Sequence, residues 1–179
     1  MDKLYLTYST AAPNIDETPL VGESSEEMVM RLSLKKAKAV SERHSDALII
    51  GSDQCAVLEN LVMGKPGTHE EAIEQLRHSS GKTVKFLTGL CLYDAKNATY
   101  ELECVPFEVE FRELMDTEIE NYLRIEEPYN CAGSFKSEAL GITLFNKMQG
   151  EDPSSLIGLP LIKLCGMLRR KGIALPPSK

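Results

Sequence analysis

The run TVKFLTGLCLYD, Thr83–Asp94, is long, apolar and rich in β-branched residues, and the turn residues AKNAT follow it at once. Beyond them FEVEFRE alternates without a break. Phe107, Val109 and Phe111 share one side, and Glu108, Glu110 and Arg112 share the other. A period of two belongs to a strand, so one side is buried and the other wet. The pattern predicts long antiparallel strands and at least one hairpin.

Helix signals are interleaved with these strands. Ser24 opens SSEE, a Ser-x-x-Glu capping box, and predicts a helix to about His44. Thr68 and Glu71 form a second box, for a helix ending at Gly81. Asp116 is placed to cap a third, with Ile119, Tyr122 and Leu123 on one side. After a Gly-rich stretch, Pro160 starts a fourth, whose core stripe is Leu161, Leu164, Cys165 and Leu168. Arg169, Arg170 and Lys171 fall in its final turn, and Gly172 ends it. Helices mixed with strands predict the α/β or mixed α+β class, with a mixed sheet. At 179 residues, positions 1–179 suit one domain with a real core.

Apolar residues make up 42% and charged residues 26%, the profile of a soluble globular protein. No apolar run approaches the roughly 18 residues needed to span a bilayer. MDKLYLTYST lacks the basic start and apolar stretch of a signal peptide, so a cytoplasmic location is expected. The five cysteines are scattered without a Cys-x-x-Cys, which argues against a disulfide framework or a zinc site. His44, His69 and His78 show no ligand spacing either. With a net charge of −7 and no large basic cluster, a nucleic-acid polymer is an unlikely partner. Small phosphorylated ligands remain open to an acidic chain, provided an acid holds a metal and a few lysines face the phosphates.

Several charges occupy unusual places. ALIIGSDQ, Ala47–Gln54, reads as a buried strand over Ala47–Ile50 that Gly51 and Ser52 stop, with Asp53 where it surfaces. A turn-forming aspartate is one reading; a ligand site at the end of a parallel strand is the other. Val29, Leu32, Ser33 and Val40 share one helical face, and Lys36 falls inside it while Lys35 and Lys38 do not. A lysine there either snorkels to the rim or faces a cleft as a phosphate ligand. Asp16 and Glu17 stand side by side in IDETP. Lys65 lies between Gly64 and Pro66, just before a capped helix N-terminus that favours anions. No Walker-type or dinucleotide-binding glycine motif is present. Carboxylates at Glu17 and Asp53 with ammonium groups at Lys36 and Lys65 are a set of parts that phosphoryl chemistry uses.

The ordered segments APNIDETP, RLSLKKAKAV, LIIGSDQ, GKP, CAGSFKSEALG and LIGLPL resemble the Maf family, the septum-formation-inhibitor-like nucleotide pyrophosphatases, over nearly the whole chain. Gln54 directly after Asp53, with GSFKSE downstream, is similar to the branch that hydrolyses 7-methyl-GTP. The resemblance implies a Maf/ITPase-like fold, with a twisted mixed sheet, flanking helices and two lobes around a central cleft, usually as a homodimer. It implies hydrolysis of a nucleoside triphosphate to the monophosphate and pyrophosphate with Mg²⁺ or Mn²⁺. Asp53 then matches the general base, Glu17 and Asp53 metal positions, and Lys36 and Lys65 phosphate positions. Gln54 and Glu138 match positions linked to base selection. A carboxylate at Glu138 suits the N1–H and N2–H₂ edge of guanine, and its charge suits the cationic 7-methylated ring. Phe135 nearby is either a stacking partner for the base or a core residue.

The resemblance also implies an earlier strand and a Ser-x-Ser-Pro-Arg-Arg-type loop, for which this chain has no counterpart. Met1 therefore resembles an internal methionine, from a late start or a natural form without the loop. Without those phosphate contacts, activity is expected to fall well below that of a relative that has them. Two further functions stay open: a nucleotide-binding regulatory protein linked to cell division, and an acidic domain with a protein partner in its cleft.

Overall fold

A computed structural model describes residues 1–177. Five strands form one sheet in the order β2-β1-β3-β4-β5: β1 Leu48–Leu58, β2 Leu61–Met63, β3 Thr83–Asp94, β4 Thr99–Phe111 and β5 Phe145–Gly150. Its four helices are α1 Ser25–Ser41, α2 His69–Ser79, α3 Asp116–Glu126 and α4 Leu161–Arg170. The α/β class holds. The expected mixture of strand directions does not, because every described pairing is antiparallel. Short connections account for two of the pairings, β1–β2 and the predicted β3–β4 hairpin; β1–β3 and β4–β5 are antiparallel across longer, helix-bearing connections.

The largest correction concerns β1. Gly51 and Ser52 do not end it; the strand runs on through Asp53 to Leu58. Gly51 is there to let α1 approach. A Cβ on it would lie 2.2 Å from the Ser33 carbonyl oxygen, and one on Gly89 of β3 would lie 2.3 Å from that of Val29. Both glycines mark close backbone approach rather than a turn. Asp53 therefore sits inside an antiparallel strand, opposite Gly89.

Side chains alternate along β1 and β3, so the sheet has two differently covered faces. On one, Val29, Leu32 and Ala37 of α1 pack near Ile49, Cys55, Leu87 and Cys91. The other is covered in two patches. Ala72 and Leu76 of α2 and Ile119 and Leu123 of α3 pack with Leu58, Val84, Phe86, Phe107, Val109 and Phe111. Leu164, Met167 and Leu168 of α4 pack with Leu90 and Leu92. Cys165, expected on that stripe, is only partly buried. Between the patches lies the 3₁₀ turn Pro153–Ile157, whose Ser155 carbonyl accepts from Gln54 and Thr88 while Leu156 joins the first patch; the Gly158 carbonyl that follows accepts from Ser52.

The helix caps follow sequence with two exceptions. Ser24 and Glu27 complete their capping box, and Thr68 accepts from the Glu71 N–H. Asp116 is the first residue of α3 rather than its cap, and its carboxylate pairs with Arg77. The α4 N-terminus is held by Asp152, fully buried, which accepts from the Ile162 N–H at 2.6 Å. Among the described residues no helix is long and apolar enough to cross a membrane.

Candidate active site

β2 pairs with β1 only at Ala56–Leu58, so among the described residues the outer edge of β1 from Leu48 to Cys55 carries no strand. A cleft of about 650 Å³ opens along that edge, within the range of small-molecule sites. All six residues singled out from sequence line it: Glu17, Lys36, Asp53, Gln54, Lys65 and Glu138.

At one end the charges are organised around Lys36. Its ammonium donates to Asp53 Oδ1 at 2.6 Å and lies 2.9 Å from Glu17 Oε1. Asp53 is only 12% exposed and Lys36 19%, whereas Glu17 is 54% exposed. The Lys36 side chain thus neither snorkels away nor stays in the core; it leaves the apolar stripe of α1 to reach the carboxylates. Burial alone lowers its affinity for a proton, but hydrogen bonds to Asp53 and Glu17 outweigh that and leave its pKa raised. The ammonium is charged throughout the neutral range.

Glu17 owes its place to the segment before α1. Asp16, its neighbour, turns away and closes its own loop by accepting from the Thr18 N–H and hydroxyl. The Lys35 ammonium donates to the Asp16 carbonyl, and Arg31 binds Glu23 and the Thr18 carbonyl. Three basic residues of one helix thus do different things: Lys36 enters the cleft, Lys35 ties down the loop, and Lys38 lies over the Tyr100 ring.

Lys65 arrives on the loop between β2 and α2. That loop is stitched at both ends: the Gly67 N–H donates to the Tyr129 carbonyl, and Gln75 Nε2 donates to the Gly64 carbonyl. Gln75 also accepts from the Ser134 hydroxyl at 2.6 Å, so a single amide joins the Lys65 loop to the segment leading to Phe135. His69, without metal spacing in the sequence, sits between Tyr129 Oη and Glu120, both at 2.9 Å. Among the described residues no group of three or more His, Cys, Asp or Glu side chains could hold a metal.

Apolar residues complete the lining of the cleft. Phe86, Ala132, Phe135 and Leu156 line it with Gln54, Cys131, Lys136 and Glu138. Phe135 is 6% exposed and packs edge-on against Phe86, Phe111 and Phe145, with centroids 4.9–5.6 Å apart. Of its two sequence readings, the core one describes most of its surface. Lys136 is engaged by Glu126, through the backbone carbonyl at 2.6 Å and the carboxylate at 3.6 Å. Glu138 is exposed and accepts from the Ser137 hydroxyl at 3.3 Å.

Thr88, Ser155, Gln75 and Asp152 drew no notice in the sequence. Only Asp152 carried a signal, in the Asp-Pro-Ser-Ser pattern of a capped turn. The others act across separations that local patterns do not encode.

An α/β fold with an antiparallel sheet and a cleft lined by a carboxylate–ammonium–carboxylate cluster and by apolar residues defines a protein suited to small, charged ligands. The chain belongs to the family described as Maf-like protein, whose profile matches residues 1–171. It is 52% identical to the 7-methyl-GTP pyrophosphatase of Colwellia psychrerythraea over 173 residues, 97% of this chain and 86% of that protein. It is 49% identical to the protein of that name from Pseudomonas aeruginosa over 176 residues, 98% of this chain and 92% of the relative. A third, from Cupriavidus pinatubonensis, is 51% identical over 172 residues, 96% and 86% of the two chains.

Proposed function

We infer that this protein is a nucleotide pyrophosphatase that hydrolyses 7-methyl-GTP to the monophosphate and pyrophosphate. The observation that carries the reading is the Lys36 ammonium held between Asp53 and Glu17, at 2.6 and 2.9 Å, in a cleft that Lys65 and Gln54 also line. The names of relatives at about 50% identity point to the substrate.

Asp53 is the general base. Its carboxylate takes a proton from the attacking water as oxygen bonds to the α-phosphorus and the bond to the β-phosphate oxygen breaks. Lys36 and Lys65 face the negative charge of the triphosphate, which leaves as pyrophosphate. The cluster suits a divalent cation: the Lys36 ammonium already fills a cationic position between two hard carboxylate donors, and Mg²⁺ commonly takes one or two carboxylates plus substrate phosphates. Glu17 and Asp53 would hold it, and when bound it supplies charge neutralisation and an acidified water. Glu138, exposed in the cleft lining, accepts from the exocyclic amino group on the N–H edge of guanine, and its charge favours the cationic methylated ring. A cytoplasmic homodimer belongs to the same proposal on family resemblance, and sedimentation tests the dimer.

The test is product analysis with 7-methyl-GTP and Mg²⁺ or Mn²⁺. The expected products are 7-methyl-GMP and pyrophosphate in equal amounts, lost in Asp53→Asn. Release of orthophosphate, or turnover unaffected by Asp53→Asn, overturns the assignment.

A further inference from the structure

Gln54 lies next to Asp53 but on the opposite face of β1, beside the polar seam between the two apolar patches. Both hydrogens of its side-chain nitrogen are engaged. Nε2 donates to the Thr88 hydroxyl at 2.9 Å and to the Ser155 carbonyl at 2.5 Å. Chemistry fixes which way this amide points. A backbone carbonyl only accepts, so the nitrogen and not the oxygen must face Ser155. The Thr88 hydroxyl donates its own hydrogen to the same carbonyl, at 3.2 Å, which turns its lone pairs toward Gln54.

The anchors do not move easily. Thr88 and Ser155 are fully buried. The Ser155 hydroxyl donates to the Asp152 carbonyl at 2.7 Å, and the Asp152 side chain accepts from Ser154 as well as from the start of α4. The remaining atom is Gln54 Oε1. Among the described residues no hydrogen bond reaches it, and no buried side-chain oxygen lacks a partner. It is therefore open, on a residue that lines the cleft.

We propose that Thr88 and Ser155 are positioning residues that hold Gln54 in a single orientation, making Oε1 a one-way acceptor for the nucleotide base. The inference rests on the nucleotide reading above and deepens it. A free glutamine can rotate its amide and serve a donor or an acceptor equally well. A clamped one receives the ring N–H of a 6-oxopurine and sets lone pair against lone pair with the bare ring nitrogen of adenine. Discrimination then comes from leaving a polar group unpaired with the wrong base, which is costlier than a missing contact.

The experiment measures dissociation constants calorimetrically for 7-methyl-GTP and ATP with Mg²⁺, in the parent, Thr88→Val and Thr88→Ser, using Asp53→Asn as the background to prevent turnover. Val keeps the shape of Thr88 without its hydroxyl, and Ser restores the hydroxyl. The preference for 7-methyl-GTP should fall about tenfold in Thr88→Val, the scale of one hydrogen bond, and return in Thr88→Ser. In the otherwise unaltered enzyme, Thr88→Val should raise KM and leave kcat within about twofold, since the Asp53 face is untouched. If Thr88→Val does not fold, Gln54→Leu reads the same acceptor and should show the same loss. An unchanged preference in Thr88→Val or Gln54→Leu overturns the clamp and leaves the pyrophosphatase reading standing. A parent that binds neither nucleotide overturns both.

Discussion

The two faces of β1 treat neighbouring residues in opposite ways. On the α1 face Asp53 meets the Lys36 ammonium, which also holds Glu17, a carboxylate more than half exposed. On the other face Gln54 meets a buried hydroxyl and a backbone carbonyl that belong to the core. The α1 face can exchange partners when a charged ligand arrives, because the exposed Glu17 leaves its surface pairing with Lys36 at little cost. The opposite face cannot, because unpairing buried polar groups is expensive. Catalysis needs the first property and selectivity the second, and a strand provides both within two residues because consecutive side chains point apart.

Breaking the catalytic face should produce the largest effect. Asp53→Asn removes the base and keeps the shape, and kcat is expected to fall about 10³-fold, within the range for general-base catalysis. Melting curves should show that the fold survives. Lys36→Met removes the charge between the two carboxylates, and kcat/KM should fall about 10²-fold, the lower end of what one charge-stabilising group supplies. Neither substitution should alter the ratio of 7-methyl-GTP to GTP turnover by more than about twofold, since both lie on the wrong face for the base. A large change in that ratio would merge the two faces.

The opposite end sharpens the contrast. Glu138→Gln should narrow the preference for 7-methyl-GTP over GTP by up to about tenfold while GTP turnover stays near the parent value. If the ratio is the same in Glu138→Gln and the parent, charge does not select the methylated ring. The smallest effect lies away from the cleft, at the β3–β4 hairpin. Hydrogen bonds from Asn97 and Lys171 outweigh burial and hold Asp94 down at about 2. Its unfolded value is near 4, so its contribution is present above about pH 4 and lost as pH falls toward 2. Asp94→Asn should melt slightly lower than the parent at pH 7, and the two curves should converge near pH 2. A constant gap across that window would contradict the pairing.

The hairpin and the four helices were legible because their signals are local. The alternation at Phe107–Phe111 and the Ser24–Glu27 box each lie within a few residues. Strand direction and the length of β1 were not, because Gly51 answers to the Ser33 carbonyl across the α1 interface, and a glycine looks the same whether it turns a chain or admits a helix. β2 has three residues, too few to show a period, and none of the six residues of β5 is buried, so it carries no apolar alternation. Within the site, Lys36 was legible as a charge on an apolar stripe. The partners of Gln54 lie 34 and 101 residues away, and no local pattern announces them.

A crystal structure with a non-hydrolysable 7-methyl-GTP analogue tests the division of β1 most directly. The triphosphate should contact Lys36 on the α1 face, and the base should lie on the opposite face with an N–H against Gln54 Oε1. A base seated among Glu17, Lys36 and Asp53, or a triphosphate that touches none of them, would contradict it.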